Sequence, residues 1–350
     1  MDHLTAFAPG NIKVLMTGAG APGGPGIIKA LQSAGYKLYV GDCNAFASGR
    51  FMNEKFIELP PADNNEFIDF ILSYCLENGV QVIFPLVTRE LFKFAQNKKR
   101  FDEKGIKVIV SDYDALSIAN DKGKLYSHLS GQEVLVPHFR IVHTITDLAA
   151  AVKELGYPAK AVCIKPTISN GSRGVRILQQ SIDEFDLLFS QKPNNLYSSL
   201  EKIMKILEGR AFPELLVSEY LPGIEYTIDT LVYKGVPKLI LPRSRTKMNS
   251  GISVQGTFIK NDEIIGYCEQ IICTLHLSGP IGLQVKKGED GVFKLLEINP
   301  RIQGTSVAAL GVGINLPALA VKQEFEPVDI VESAIKWGTS FVRYYEELFY

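Results

Sequence analysis

The segment from Ile281 to Arg301, IGLQVKKGEDGVFKLLEINPR, sets two apolar runs on either side of Gly288-Glu-Asp-Gly291. That is the pattern of a hairpin. Side chains at i and i+2 share one face of a strand, so Glu297 and Asn299 point the same way. Under the simplest register Gln284, on the partner strand, falls opposite Glu297. Three oxygen donors beside Arg301 suit a hard cation such as Mg²⁺, which takes few protein ligands and completes its octahedron with phosphate oxygens and water. An arginine there could hold a phosphate in transfer. The same residues could equally be the polar face of a solvated hairpin. On either reading Glu297 faces solvent, and its removal is expected to leave the fold intact.

A second segment carries complementary chemistry. Ala161 to Lys165 is an apolar strand ending in lysine, and the loop Pro166-Thr-Ile-Ser-Asn-Gly-Ser-Arg-Gly174 follows. A lysine charge beside the N–H groups of a Gly/Ser-rich loop outlines a phosphate clamp. There is no GxxxxGK[ST], so it is not a P-loop, and a lysine snorkelling from a strand end is the alternative. Third, Leu216-Val-Ser-Glu219-Tyr220-Leu221-Pro-Gly-Ile-Glu225 reads as strand, short Pro-Gly link, strand. An adenine could read backbone groups at such a crossover, and a carboxylate could take ribose hydroxyls. An ordinary strand connection would look the same. Arg243 and Arg245 follow the strand Lys238–Leu241 and fit either an anionic substrate group or a solvated strand end. The loop Thr246–Ser253, with Gly251 and several small polar residues, fits a flap over substrate.

The stretch TGAGAPGGPG, Thr17 to Gly26, follows the apolar run Ile12–Met16, and Asp42 closes the next strand. Glycines there would let backbone approach a pyrophosphate at a helix N-terminus, as in a dinucleotide-binding domain. Any βαβ unit needs a tight turn at this point, so the motif alone does not decide.

The elements that must position these groups alternate over the first ~110 residues. Strands are expected at Ile12–Met16, Lys37–Val40, Lys55–Leu59, Val80–Phe84 and Ile106–Val110. Helices are expected at Pro25–Ala34, Asn64–Glu77 and Arg89–Phe101. A helix capped by Asn120 or Asp121 follows, then one opened by Thr146 or Asp147. From Leu215 onward strands dominate, with a helix at Asp262–Leu275 and shorter ones at Thr305–Ala309 and Pro317–Val321. The polar stretch Gln191–Ser199 reads as mobile. The fold class is α/β followed by α+β.

Composition narrows the setting. Across 350 residues, 37 basic and 38 acidic side chains nearly cancel, which argues against a charge-driven nucleic-acid or membrane partner. No apolar run approaches the ~20 residues of a membrane helix, and MDHLTAFAPG is not a signal-peptide pattern. The odd number of cysteines without a CxxC pair fits reduced thiols, and a cytoplasmic location is expected.

In their order, these segments resemble the ATP-grasp superfamily, and within it the carbamoyl-phosphate-synthetase-like carboxylate–amine ligases. The resemblance runs from about Asn11 to Ala320. It is carried by Asp121-Lys122, the YPxxxxxxKP of Tyr157–Pro166, GSxGV at Gly171–Val175, SEYLPGxEYTxD at Ser218–Asp229 and EINPR at Glu297–Arg301. It implies an ATP-grasp fold with three parts: a Rossmann-like domain (1–112), a lid and linker helix (113–222), and a C-terminal subdomain with the metal site (223–350). It implies that Lys122 and Lys165 contact ATP phosphates, with Lys165 and Arg301 acting in catalysis, and that Ser172 and Gly174 lie in the loop closing over them. Glu219, Tyr220 and Leu221 would meet the adenine and Glu225 the ribose. Gln284, Glu297 and Asn299 would hold Mg²⁺, with Mn²⁺ as a substitute. Many relatives carry Asp or Glu where Gln284 stands, which leaves one ion or two open. The glycine turn, Gly20 included, would border the acceptor pocket rather than bind NAD, and Asp42 would be structural. The implied reaction joins a small carboxylate to an amine through an acyl phosphate. Relatives often form dimers. A non-catalytic ATP-binding regulatory module and an NAD-dependent oxidoreductase are the rival readings.

Overall fold

The structure is a computed structural model and describes residues 7–169, 171, 173–180, 182–189, 196–249 and 251–350. The chain divides into two compact units, 1–117 with 226–284 and 298–350, and 118–225 with 285–297.

The first unit opens with β1 (Lys13–Thr17), α1 (Gly24–Ser33), β2 (Lys37–Asp42), β3 (Phe56–Glu58), α2 (Phe67–Asn78), β4 (Val82–Pro85), α3 (Thr88–Asp102), β5 (Lys107–Val108) and α4 (Tyr113–Asn120). The five strands form one parallel sheet in the order β3-β2-β1-β4-β5. A strand buried on both faces reads as a continuous apolar run, and β1 shows why. Leu15 packs with Phe67, Ile71 and Phe94 on one side. Val14 and Met16 pack on the other with Ile27, Leu31, Leu241, Phe258 and Leu316. This parallel sheet is the Rossmann-like arrangement expected of the N-terminal part of the chain.

In the second unit, α5 (Lys122–Gly131), β6 (Phe139–Val142), α6 (Ile145–Glu154), β7 (Val162–Pro166), β8 (Arg176–Leu178), α7 (Glu184–Phe189), β9 (Tyr197–Ser198), α8 (Leu200–Leu207) and β10 (Leu215–Glu219) follow in turn. Their sheet runs β6-β10-β7-β8-β9. Its apolar face, Val162, Ile164, Leu215 and Val217, is covered by Leu148, Val152 and Ile203 of α6 and α8. Period-two alternation turns Cys163 and Lys165 to the opposite face. Asp121 caps α5, accepting the N–H groups of Gly123 (2.9 Å) and Lys124 (3.1 Å), as expected. Helix α6 is capped two to three residues earlier than its sequence suggested: Thr144 accepts the Asp147 N–H at 3.1 Å. Most of Gln191–Ser199 lies outside the described residues.

The remaining elements are β11 (Glu225–Tyr233), β12 (Val236–Ser244), β13 (Lys247–Asn249), β14 (Ile252–Thr257), α9 (Asp262–Leu275), β15 (Gly279–Lys287), β16 (Phe293–Asn299), α10 (Leu316–Lys322) and β17 (Ser340–Val342). They form a four-stranded sheet, β12-β11-β15-β16, and a three-stranded one, β13-β14-β17. Two sequence expectations change here. Thr246–Ser253 is the greater part of the β13–β14 hairpin rather than a loop, although Ser250 is outside the described residues. The helix expected at Thr305–Ala309 is a 3₁₀ helix, Ser306–Val312.

Candidate functional site

The second unit holds two buried lysines. Lys122 is the first residue of α5 and Lys165 the fourth of β7, and each is only 6 % exposed. The Lys122 N–H donates to Thr167 O (2.8 Å), which ties the start of α5 to the end of β7. Its ammonium donates to Ser169 O (3.1 Å) and lies 3.5 Å from the Glu297 carboxylate. Lys165 Nζ donates to Leu296 O (3.0 Å) and to Tyr126 Oη (3.4 Å), and sits 5.2 Å from the Tyr126 ring centre. Tyr126 is in turn anchored through its hydroxyl to Leu295 O at 2.6 Å. Lys165 is thus a held group, and a lysine snorkelling to solvent is ruled out. Burial pushes both lysines below their ordinary pKa, and the Lys165 charge pushes Lys122 further the same way. Buried ammonium groups are costly unless paired. Carboxylates oppose the effect of burial at both, Glu297 and Asp121 at Lys122, and Glu297 and Glu225 at Lys165.

The loop after β7 is shaped by glycine. Gly174 has φ +79°, and a Cβ there would come within 2.6 Å of Pro166 Cγ, so the chain doubles back closely on the strand end. Ser172 lies outside the described residues.

At the end of β10, Glu219 has a structural task. Its carboxylate accepts the His138 N–H (2.9 Å) and the Lys294 ammonium (2.8 Å), and Lys294 also meets Asp290 at 2.8 Å. Tyr220 is half-buried beneath Lys286, whose ammonium is 5.0 Å from its ring centre, and Leu221 is buried. Burial lowers the Lys286 pKa, and the Glu225 charge opposes that shift. Tyr126, Lys286 and Lys294 were not singled out from the sequence. The available signals were Tyr126 four residues after Lys122 on one helix, and Lys286 two after Gln284 on one strand.

The hairpin forms as its spacing predicted. Gly288 N–H donates to Val292 O at 2.9 Å, and β15 and β16 are neighbours in their sheet. Glu297 and Asn299 are half-buried while Ile298 between them is buried, so the two share a face; Gln284 is half-buried on β15. Among the described residues no cluster of three His, Cys, Asp or Glu could hold a metal alone. Because Glu297 is the carboxylate beside Lys122, it is no free solvent-facing group. Replacing it by alanine leaves a buried ammonium less compensated, which corrects the expectation of a fold-neutral change.

In the first unit, Arg301 Nε donates to Thr88 Oγ1 (3.3 Å) at the start of α3. Arg243 is not a solvated strand end. It is 1 % exposed, and its Nε donates to Asp229 Oδ2 at 2.8 Å. Arg245 is half-buried and braces the β13–β14 turn through Gly251 O. The glycine turn is filled by protein. Gly18 has φ +75° and a Cβ there would meet Val87; a Cβ on Gly23 would come 2.8 Å from Gly304 Cα, and one on Gly26 2.8 Å from Val307. Asp42 accepts the N–H groups of Gly20 and Asn44, both at 2.8 Å. The start of α1, where a pyrophosphate would lie, is covered by residues 304–307, and Asp42 already has partners.

Residues 211–340 match a family described as ATP-grasp in the biosynthetic pathway with Ter operon, and residues 14–109 match the PylC-like N-terminal domain. The large chain of carbamoyl phosphate synthase from Clostridium acetobutylicum is 24 % identical over 230 residues, which are 62 % of this chain and 20 % of that one. The chain therefore spans about a fifth of the length of the curated relatives it matches. An N5-carboxyaminoimidazole ribonucleotide synthetase solved with ADP superposes with a TM-score of 0.69 at 16 % identity, covering 90 % of this chain and 77 % of that one. For the L-amino acid ligase from Bacillus licheniformis the TM-score is 0.63 at 17 % identity, with 91 % and 75 % covered. These structures share the fold.

Proposed function

We propose that this chain, whose residues 211–340 match an ATP-grasp family and residues 14–109 a PylC-like N-terminal domain, is an ATP-dependent ligase joining a small carboxylate to an amine. The observation that supports this reading is the burial of two ammonium groups, Lys122 and Lys165, in one compact unit, a placement that suits phosphate oxygens. The L-amino acid ligase among the structural neighbours supports the reaction class.

In the proposed reaction a carboxylate oxygen of the substrate attacks the γ-phosphorus of ATP, and the bond to ADP breaks. The amine nitrogen then attacks the acyl carbon, phosphate leaves with the bonding pair, and the nitrogen loses a proton to give the amide. No protein nucleophile is needed; positioning and charge stabilisation suffice. Lys122 and Lys165 hold phosphate oxygens, and the loop carrying Ser172 and Gly174 closes over them. Glu219 and Leu221 present backbone to the adenine, Tyr220 flanks it, and Glu225 takes the ribose. Gln284, Glu297 and Asn299 would hold Mg²⁺, which when bound offsets charge on the phosphates. Arg301 steadies the phosphoryl group in transfer. Arg245 is assigned to the substrate's anionic end by bracing the hairpin beside it; Arg243, 1 % exposed and held by Asp229, does not touch substrate.

The test is MgATP turnover with a panel of amino acids and small carboxylates in the presence of hydroxylamine, which traps an acyl phosphate as a hydroxamate. Carboxylate-dependent hydroxamate and ADP in equal amounts are expected. ATP that binds without turnover across the panel would favour a regulatory module instead.

A further inference from the structure

Two guanidinium groups of the first unit differ in their partners. Arg243 is fixed through Nε by Asp229, whose other oxygen accepts the Ser306 hydroxyl. The Arg243 Nη1 atom is buried and has no hydrogen-bond partner among the described residues. Its guanidinium lies 5.7 Å from the Phe341 ring centre, on the strand that leads to Arg343. Arg343 is half-buried, and its two bonds go to neutral oxygens: Nη1 to Thr305 Oγ1 (3.4 Å) and Nη2 to Pro22 O (2.9 Å). Thr305 is held in turn by Ser253 O at 3.2 Å. Burial lowers the Arg343 pKa, Tyr345 opposes that shift, and the Arg243 charge adds to it.

Arg243 has Asp229 as its carboxylate, whereas the guanidinium bonds of Arg343 reach a hydroxyl and a carbonyl oxygen. A planar fork held in this way matches a carboxylate. We infer that Arg343, backed by Arg243, forms a carboxylate subsite for the amine substrate, so that this substrate is an amino acid or another amine with a free, non-reacting carboxylate. The inference rests on the ligase reading above. It assigns a role to Arg343, which lies outside every motif of the sequence.

The test compares kcat/KM for free amino acids and for the matching carboxamides as amines, with hydroxylamine as an amine that has no carboxylate. A charge-assisted contact is worth about 1.5–3 kcal/mol, or roughly 10- to 150-fold. Wild type is expected to prefer the free acid by at least about tenfold. Arg343→Met should cut amino-acid kcat/KM relative to hydroxamate formation by about 10- to 100-fold, mainly through KM, and Arg343→Lys should restore part of it. Arg343 is half-exposed and pairs with no carboxylate in these bonds, so both variants should fold; Arg243 is left intact to keep Asp229 paired. Equal use of acid and carboxamide by wild type would overturn the subsite. So would an Arg343→Met variant whose amino-acid and hydroxylamine rates change together. A wild-type chain that binds MgATP but yields no hydroxamate with any acid would instead overturn the ligase reading, and the subsite with it.

Discussion

The glycine turn after β1 and the lysine pair of α5 and β7 look alike as sequence: each sets small flexible residues beside a strand end. Their structures differ. At Gly18, Gly23 and Gly26 the missing Cβ makes room for Val87, Gly304 and Val307 of the same unit. Around Lys122 and Lys165 the packing instead encloses two ammonium groups, with Glu297 beside Lys122. A glycine loop can be an accommodation for protein as easily as for phosphate, and the atoms around it decide which. Two buried ammonium groups brought together are the more specific sign of a polyanion site, because burying like charges is costly until negative charge meets them.

The comparison can be broken most forcefully at Lys165. Lys165→Met keeps the stem and removes the charge; turnover in the hydroxamate assay should fall by about 10²- to 10³-fold, the usual loss for a preorganised donor to transferring charge. Glu297→Gln, which keeps volume beside Lys122, should lose turnover by about 10²-fold or more while circular dichroism stays native. Glu297→Ala should also lose stability, by leaving the Lys122 ammonium without that carboxylate.

The turn side of the comparison predicts stability effects without nucleotide effects. Glu90 is 7 % exposed, accepts the Thr17 hydroxyl, and is lifted by burial to about 7. Its folded pKa is above its unfolded value, so both states are protonated in acid. As pH rises from about 4.5 through 7 the unfolded state releases its proton first, and wild type loses stability. Glu90→Gln, compared with wild type by denaturant melts, should therefore be more stable at pH 8 by up to about 3 kcal/mol, with the gain vanishing toward pH 4.5. Gly18→Ala, at φ +75° and against Val87, should cost about 2 kcal/mol at any pH and leave ATP affinity unchanged.

Much of this was legible in the residues. The strands Leu215–Glu219 and Glu225–Tyr233 and the helix Asp262–Leu275 follow the periodicities that predict them, because each buries a regular face. The hairpin that carries Glu297 and Asn299 follows from its Gly-x-x-Gly turn. Less legible were contacts between distant segments. Nothing near Glu297 in the chain announces Lys122, nothing near Arg243 announces Asp229 as its buried partner, and Arg343 gains meaning only from Thr305 and Pro22. Strands as short as β9 and β17 carry too few residues for a period to show. The 3₁₀ turn at Ser306–Val312 shares its apolar spacing with an α-helix and is told apart only by its hydrogen bonds.

The central claim is that nucleotide binds at the lysine pair and not at the glycine turn. Calorimetric titration of wild type and Lys165→Met with MgADP, and of wild type with NAD⁺, tests it most directly. The account predicts MgADP binding that weakens about tenfold or more in the variant, the worth of one charge-assisted contact, and no heat from NAD⁺. NAD⁺ binding, or MgADP affinity indifferent to the loss of Lys165, would contradict it.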